Sequence, residues 1–211
     1  VSSEEKEAVM IAILLHDIGH GPFSHALENS IISGITHEEI SLFLMRRLNE
    51  SFGGKLGLAI EIFTGTYERK FFHELITGQL DMDRLDYLGR DSFFTGVIEG
   101  SVGSDRIIRM LNVVNDSLVI DEKGIYSIEN FLIARRLMYW QVYMHKTVLS
   151  SESLLVNVLK RAKELASAGS DLFATPALKF FLYNDIGPDD LVREGSFTPG
   201  IVASNYIRLD D

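Results

Sequence analysis

Apolar residues recur at helical spacing over most of this 211-residue chain, and capping motifs mark where helices begin. Two Ser/Thr-x-x-Glu motifs precede apolar stretches, Ser2 with Glu5 and Thr36 with Glu39. In such a capping box, each side chain accepts a bond from the other residue's backbone N–H, and this satisfies donors that the first helical turn leaves open. Two consecutive glycines after "RRLNESF" favour the end of the second helix.

Further helices are predicted downstream. "LGLAIEIF" is a short candidate, "FFHELITGQLDMDRLDYLGRD" predicts one longer helix, and helical spacing continues from Ile128 to about Ala166. Within "SLVIDEKGIYS", two short β-favouring runs around a Glu-Lys-Gly turn predict a hairpin between Ser117 and Ser127. A linker-like "SAGSD" follows, and the remaining chain holds three of the four prolines. We therefore expect an all-α bundle with one small β-hairpin, a domain at 1–166 and a less regular tail at 167–211.

Composition excludes several classes of protein. There is no cysteine, so disulfides, thiol catalysis and cysteine zinc sites are excluded. A net charge of −10 argues against general nucleic-acid binding, which needs a basic surface. The longest apolar run, Ala8 to Leu15, is too short to cross a membrane, and the acidic start is unlike a signal peptide. We expect a soluble, cytoplasmic protein.

The stretch "LLHDIGHGPFSH" contains three of the six histidines. His16 and Asp17 together offer an imidazole nitrogen and a carboxylate oxygen, which suit divalent ions such as Mn, Fe or Zn. The glycines and proline that follow favour a turn, which could bring His20 and His25 towards the same place. The alternative is an ordinary helix terminus with a histidine bonded to a backbone carbonyl.

A second carboxylate for such a site is expected on a separate element, and "DMDRLDYLGRD" offers candidates. On a helix, Asp83, Tyr87 and Asp91 share roughly one face, with Arg84 beside it. The alternative is a solvated charged helix with a half-buried tyrosine. Two further carboxylates of this segment are interpreted as surface or capping charges: Asp81 and Asp86.

A later cluster, "RRLMYWQVYMHK", places Arg135 and Tyr143 two turns apart on one helical face. A guanidinium forms bidentate bonds to phosphate, and a tyrosine can stack on a base or fill a sugar pocket. Other members of the cluster are most simply core residues: Met138, Trp140 and Val142. Two more are weaker candidates that could form a helix-surface pair: His145 and Lys146.

Together, "LLHDIGHGPFSH", "THEE" and "DMDRLDYLGRD" resemble the HD-domain metal-dependent phosphohydrolases over roughly residues 5–165. The likeness is greatest to the branch that contains bacterial dGTPases and the animal SAM-and-HD-domain deoxynucleotide triphosphohydrolase. It implies that His16, Asp17 and Asp83 bind the metal. The family's fourth ligand is a histidine upstream of the HD pair, and none precedes His16 here. We expect that ligand, and the family's first helix, upstream of Val1.

The resemblance also implies roles for other residues. His37 matches a histidine that protonates the leaving group, and Glu28 matches the carboxylate that orients it, where relatives often carry Asp. His20 and His25 match positions that contact phosphate or sugar. Without the resemblance, a solvent-exposed residue at the first position of a helix is the simpler interpretation of His37. The remaining matches are to phosphate contacts (Arg84, Arg135), sugar contacts (Tyr87, Asp91) and a residue that excludes a ribose 2′-hydroxyl (Tyr143).

The sequence thus predicts a phosphohydrolase that requires a divalent metal (Mn, Mg, Fe, Zn, Ni or Co) and converts deoxynucleoside triphosphates to deoxynucleoside and triphosphate. Its expected partners are the nucleotide substrate and further copies of itself in a homo-oligomer. Two alternatives stay open. One is an HD phosphohydrolase for a nucleoside monophosphate or a guanosine polyphosphate, and the other is a non-catalytic nucleotide-sensing module.

Overall fold

The computed structural model describes residues 1–23, 25–28, 30, 32, 34–192 and 197–209. Within them, α-helices dominate and one antiparallel hairpin is present, as the sequence predicted. No helix in this described part is both long and apolar enough to cross a bilayer. The helices are α1 (Ser3–Leu15), α2 (His25–Glu28), α3 (His37–Ser51), α4 (Gly57–Phe63), α5 (Phe71–Thr77), α6 (Met82–Thr95), α7 (Ser104–Met110), α8 (Ile125–Met138), α9 (Lys146–Ser167), α10 (Pro176–Tyr183), α11 (Asp189–Val192) and α12 (Pro199–Tyr206). The strands are β1 (Leu111–Val114) and β2 (Ser117–Ile120).

The chain forms two compact units that do not follow chain order. Unit 1 comprises Val1–Ile13 and Gly57–Leu149, and unit 2 comprises Leu14–Leu56 and Ser150–Asp211. The division of the chain into domains at residue 166 stays a prediction.

One core cluster of unit 1 is built by α6, α7 and α8. The inward positions of these helices are apolar and almost completely buried: Leu85, Leu88, Ile107, Phe131 and Met138. Burying side chains of this size stabilises a fold by about 1.5–3 kcal/mol each. The same packing holds the polar face of α6 in a defined orientation.

The core of unit 2 combines α3 with the C-terminal helices. Phe43 of α3 packs in one cluster with Phe181 of α10 and with Val202 and Tyr206 of α12. Two of the three prolines that made this stretch look irregular, Pro176 and Pro199, lie in the first turns of α10 and α12, where a missing N–H costs nothing. Each of these two helices has only eight residues, which is too short to show a clear period in sequence.

Both predicted capping boxes are present. Thr36 Oγ1 accepts from the Glu39 N–H at 3.3 Å, and Glu39 Oε2 accepts from the Thr36 N–H at 2.8 Å. At α1, Ser2 Oγ accepts from the Glu5 N–H at 3.0 Å. The caps set the first residues of α1 and α3, so His37 is the first residue of α3.

The long helix predicted from "FFHELITGQLDMDRLDYLGRD" is wrong, because the segment forms two helices. Helix α5 ends at Thr77, and the next residue, Gly78, has an extended backbone with ψ of 175°. Asp81 then caps α6, since its Oδ1 accepts from the Arg84 N–H at 2.7 Å. A side chain that bonds a backbone N–H offers the backbone an alternative to continuing the helix, and here the Asp81 bond begins a new helix instead.

The predicted hairpin exists but lies earlier than expected. Its strands pair Leu111 with Ile120 through Val114 with Ser117. The turn residues Asn115 and Asp116 have φ of 51° and 63°, the left-handed pair that a tight two-residue hairpin turn requires. The Glu-Lys-Gly segment instead forms a 3₁₀ turn, Glu122–Gly124, which leads into α8.

The helical span predicted from Ile128 to Ala166 is interrupted. Helix α8 ends at Met138, and one wide π-turn, Tyr139–Tyr143, follows it directly. This turn closes with the Met144 N–H donating to the Tyr139 carbonyl at 2.7 Å. Trp140, predicted to be core, is 64% exposed, and the Arg136 guanidinium lies 4.9 Å from its ring centroid. The extra residue of a π-turn rotates the side chains that follow it, so regular helical spacing misplaces them.

Glu5 is 7% exposed and accepts three hydrogen bonds in unit 1. Its carboxylate is bonded by the Ser2 N–H at 2.6 Å, by Arg69 at 2.6 Å and by the Tyr67 hydroxyl at 3.0 Å. The backbone bond from Ser2, followed by the bond from Arg69, lowers the pKa of Glu5 from 4.5 to about 2. The ionised carboxylate therefore ties α1 to the segment before α5.

We expect Glu5→Gln to reduce stability at pH 7. A pKa that folding lowers stabilises the native state fully above about pH 4.5 and stops doing so as the pH falls towards 2. The difference in urea midpoint between wild type and variant should therefore shrink between pH 5 and pH 2. Glu4→Gln, in the same turn but exposed, is the control. A difference that stays constant with pH would contradict this account of Glu5.

Candidate active site

The HD pair lies just after the end of α1, in unit 2. Asp17 is half-exposed, and its carboxylate lies between two imidazoles, 3.2 Å from His16 Nε2 and 3.8 Å from His20 Nε2. The His20 N–H donates to the Asp17 carbonyl at 3.0 Å, which closes a tight turn. The glycine-containing turn predicted from sequence therefore returns the chain so that His20 faces the HD pair.

His20 also contacts the first residue of α3. Its ring is stacked on that of His37, with centroids 4.1 Å apart and planes inclined by 16°. Asp17, His20 and His37 each offer a ligand atom, and these atoms lie within 4.8 Å of one another. The sequence had assigned His20 to substrate and His37 to proton transfer, and in the structure both lie beside Asp17.

His37 is held by Glu28 at the end of α2. Glu28 Oε1 accepts from the His37 backbone N–H at 2.7 Å and lies 2.8 Å from His37 Nδ1. The predicted pair of His37 and Glu28 is thus in contact, with the carboxylate on the Nδ1 side of the ring. Glu38 Oε1 lies 3.3 Å from His37 Nε2, a contact that the sequence did not suggest.

The loop containing the HD pair is seated directly on α3. The Gly19 N–H donates to Ser41 Oγ at 2.9 Å, and Ser41 is fully buried. A Cβ at position 19 would overlap the His37 carbonyl oxygen and the Ser41 backbone nitrogen, so only glycine permits this approach. The close contact brings Asp17 and His20 to the residue that begins α3. We name the histidine cluster after its members: His16, Asp17, His20, Glu28 and His37.

A second group of predicted residues comes together in unit 1. The Tyr143 hydroxyl donates to Asp91 Oδ2 at 2.6 Å, and the rings of Tyr143 and Tyr87 meet edge-on with centroids 6.1 Å apart. Burial, followed by the hydrogen bond to Asp91, raises the pKa of Tyr143 well above its ordinary value. Burial likewise raises the pKa of Tyr87. Both phenols are therefore neutral hydrogen-bonding groups near neutral pH.

Arg135 belongs to the same group. Its positive charge partly offsets the rise in the pKa of Tyr87, and its guanidinium lies 5.4 Å from the ring centroid of Tyr139. Among the side chains that the structure describes, Arg135 Nε is buried without a hydrogen-bond partner. Tyr139 was not predicted, because its position depends on the π-turn. The tyrosine cluster consists of Tyr87, Asp91, Arg135, Tyr139 and Tyr143.

Other predicted residues lie elsewhere. Asp83 is in the first turn of α6 in unit 1, and its approach to His16 and Asp17 stays a prediction. Arg84 pairs with Asp81 Oδ2 at 3.1 Å and donates to the Gly78 carbonyl, so it braces the start of α6. Asp81 is 4% exposed and acts as a cap, as predicted. The side chain of His25 lies outside the described part of the chain.

Two more predictions concern exposed residues. Asp86 pairs with Arg90 on the surface of α6, in agreement with its interpretation as a surface charge. His145 and Lys146 are exposed where α9 begins, and His145 Nδ1 lies 3.3 Å from the Thr147 N–H. Neither contact favours a role in the site.

The donor chemistry of the histidine cluster fits a divalent metal ion. Mixed imidazole and carboxylate ligands are those that Mn, Fe, Zn and related ions take in proteins. Asp17 has one carboxylate oxygen towards each flanking histidine, so it could ligate together with either His16 or His20.

Comparison with known families agrees with this geometry. Residues 2–91 match the family model described as HD domain, and residues 102–174 match the model described as HD associated region. The chain belongs to the HD-domain superfamily, and more narrowly it combines an HD domain with the associated region. HD domains bind divalent metal ions, and the His and Asp groups described above could hold one here.

Individual relatives extend the comparison. The chain is 33% identical to the uncharacterized protein YwfO of Bacillus subtilis over an alignment of 217 positions. This alignment covers 98% of this chain and 46% of that protein. The chain is 27% identical to a deoxynucleoside triphosphate triphosphohydrolase SAMHD1 homolog of Dictyostelium discoideum, over 82% of this chain and 37% of that protein. A crystal structure of a phosphohydrolase from Bacteroides thetaiotaomicron superposes with a TM-score of 0.93 and 60% identity, covering 100% of this chain and 51% of that one. The chain thus spans about half or less of the length of these relatives.

We expect Asp17→Asn to weaken Mn²⁺ binding by the full-length protein at least roughly tenfold, because the amide carries no charge. Among the flanking histidines, His16→Ala should weaken binding and His20→Ala should not, if the sequence-based assignment holds. Isothermal titration with MnCl₂ measures both effects. Asp171→Asn, which removes an exposed carboxylate paired with Lys179, is the control. Loss of binding in His20→Ala alone would assign the metal to the Asp17, His20 and His37 group instead.

Proposed function

We propose that this protein is a metal-dependent phosphohydrolase that converts deoxynucleoside triphosphates to deoxynucleoside and inorganic triphosphate. The observation that carries the proposal is the His37–Glu28 dyad stacked against His20, directly beside Asp17. An acid held by a carboxylate next to a metal-ligating pair is the set that phosphoester hydrolysis requires. The named activity of the Dictyostelium relative supports the choice of substrate.

We assign the metal to His16, Asp17 and Asp83. A divalent ion there would supply positive charge to the phosphate and lower the pKa of a coordinated water. The protein's own part is to hold the phosphate chain and the leaving oxygen in line.

His37 is the proposed general acid. Water adds its oxygen to the α-phosphorus, the bond from that phosphorus to the sugar 5′-oxygen breaks, and the 5′-oxygen takes a proton from His37 Nε2. Glu28 accepts the Nδ1–H at 2.8 Å, which fixes the orientation of the ring. The products are the deoxynucleoside and triphosphate, and the proton lost by the attacking water passes to solvent.

The tyrosine cluster is the proposed sugar and phosphate contact. Asp91 and Tyr87 would bond the sugar hydroxyl, and Tyr143 would occupy the space of a ribose 2′-hydroxyl. The incompletely bonded Arg135 guanidinium suits a phosphate oxygen, because each phosphate oxygen can accept from its fork. A cytoplasmic location and a homo-oligomeric state stay predictions.

In the full-length protein with Mn²⁺ or Mg²⁺, we expect hydrolysis of deoxynucleoside triphosphates with release of triphosphate. Glu28→Gln should lower kcat roughly ten- to a hundredfold with little change in KM, since general acid catalysis contributes about 10²–10⁴ to such rates. Chromatography of products measures both. Glu50→Gln, an exposed carboxylate on α3, should behave as wild type.

Other products would redirect the proposal. Turnover of a nucleoside monophosphate or guanosine polyphosphate alone would keep the phosphohydrolase and change its substrate. Nucleotide binding with neither metal nor turnover would favour a sensing module.

Tyr143→Ala should relax discrimination against ribonucleotides, because it removes the ring that we place beside the sugar C2′. The ratio of kcat/KM for a deoxynucleotide over its ribonucleotide should fall by roughly ten- to a hundredfold, the scale of a steric contact worth about 1–3 kcal/mol. Tyr126→Ala, on the exposed surface of α8, should leave the ratio unchanged. An unchanged ratio in Tyr143→Ala would remove this residue from the specificity pocket.

A further inference from the structure

We propose that Tyr206 and Ser41 act together as positioning residues for catalysis, by bonding the carbonyl and the N–H of Gly19 and so fixing Asp17 and His20 against His37. The inference rests on the proposed function and adds to it two residues, one of them near the C-terminal end of unit 2. Neither residue was singled out by the sequence.

The Gly19 residue is bonded at both its backbone polar groups. Its N–H donates to Ser41 Oγ at 2.9 Å, and its carbonyl accepts from the Tyr206 hydroxyl at 2.5 Å. The two partners come from α3 and from the last residue of α12. Position 19 lies between the HD pair and His20, so the bonds hold the middle of the active-site loop.

The surroundings make this arrangement rigid. Tyr206 is 7% exposed and its ring meets that of Phe181 edge-on, with centroids 6.1 Å apart. A Cβ at Gly21 would come within 3.0 Å of the Tyr206 hydroxyl, so the loop passes this hydroxyl at close range. Burial, with the nearby charge of Glu28, raises the pKa of Tyr206 to about 12. The hydroxyl is therefore a donor at every pH at which the enzyme could work.

Small displacements here have chemical consequences. Ser41 is one turn beyond His37 on α3, so the bond from Gly19 fixes the loop to the same helix that carries the proposed acid. Catalytic groups must be held within about 0.5 Å of their working positions, and misplacement by 1 Å can cost about a hundredfold in rate. If either bond is removed, only one of the two backbone groups of Gly19 keeps its side-chain partner.

The test uses Tyr206→Phe and Ser41→Ala in the full-length protein, assayed well below the unfolding temperature of each variant. Tyr206→Phe keeps the ring and removes only the hydroxyl. We expect kcat for deoxynucleoside triphosphates to fall about five- to tenfold while KM stays within about twofold, the scale of one buried hydrogen bond. The double variant should lose less than the product of the two single losses, because both bonds hold the same residue.

The control is Tyr183→Phe, which removes a hydroxyl bonded to the Ser170 carbonyl and the Leu172 N–H in the same unit. It should alter thermal stability and leave kcat at the wild-type level. A Tyr206→Phe variant that lowers stability but retains wild-type kcat would overturn the proposal, and so would strictly multiplicative losses in the double variant.

A second measurement separates this inference from the proposed function. Hydrogen exchange of the segment 16–22, followed by mass spectrometry, should be faster in Tyr206→Phe and in Ser41→Ala than in wild type, and unchanged in Tyr183→Phe. If the wild-type protein hydrolyses no nucleotide, the proposed function fails. The exchange rates alone then test whether Ser41 and Tyr206 hold Gly19 in place. Unchanged exchange in both variants would overturn this inference.

Discussion

The arrangement of the histidine cluster depends on one steric constraint, the contact between Gly19 and the first turn of α3. The space between the loop and the helix backbone has no room for a side chain. Because the loop can approach this closely, the half-exposed carboxylate of Asp17 and the ring of His20 lie beside His37. Ser41 of α3 and Tyr206 of α12 bond the two backbone groups of Gly19, and Glu28 of α2 bonds the His37 N–H beside it, so distant parts of unit 2 meet at this contact.

The two clusters use polar groups in different ways. The histidine cluster keeps partly exposed charged or chargeable groups close together, which suits an ion and proton transfer. The tyrosine cluster keeps neutral phenols in a partly desolvated place, where burial and the Asp91 carboxylate suppress ionisation of Tyr143. Such phenols bond a sugar hydroxyl and exclude a larger one without adding charge.

Where a sequence-based prediction was wrong, a local backbone or side-chain interaction overrode the regular spacing of apolar residues. The Asp81 cap divided a segment whose apolar spacing is continuous. The left-handed conformations of Asn115 and Asp116 placed the hairpin turn at these two residues, before the Glu-Lys-Gly turn that β propensity suggested. The π-turn after Met138 exposed Trp140 and brought Tyr139 to Arg135. Each of these effects acts over a few residues, whereas hydrophobic periodicity averages over a longer window.

By itself, the sequence determined the helical class, both capping boxes and the HD motif. These features are local or carried by dense motifs, so residue type and spacing suffice to find them. The tertiary structure decided that Ser41 and Tyr206 support Gly19, that Tyr139 joins Arg135, and that Arg84 braces its own helix. Gly19 and Tyr206 are 187 residues apart, and only packing of the intervening helices brings a lone hydroxyl to one carbonyl. The sequence contains no pattern from which this hydrogen bond could have been predicted.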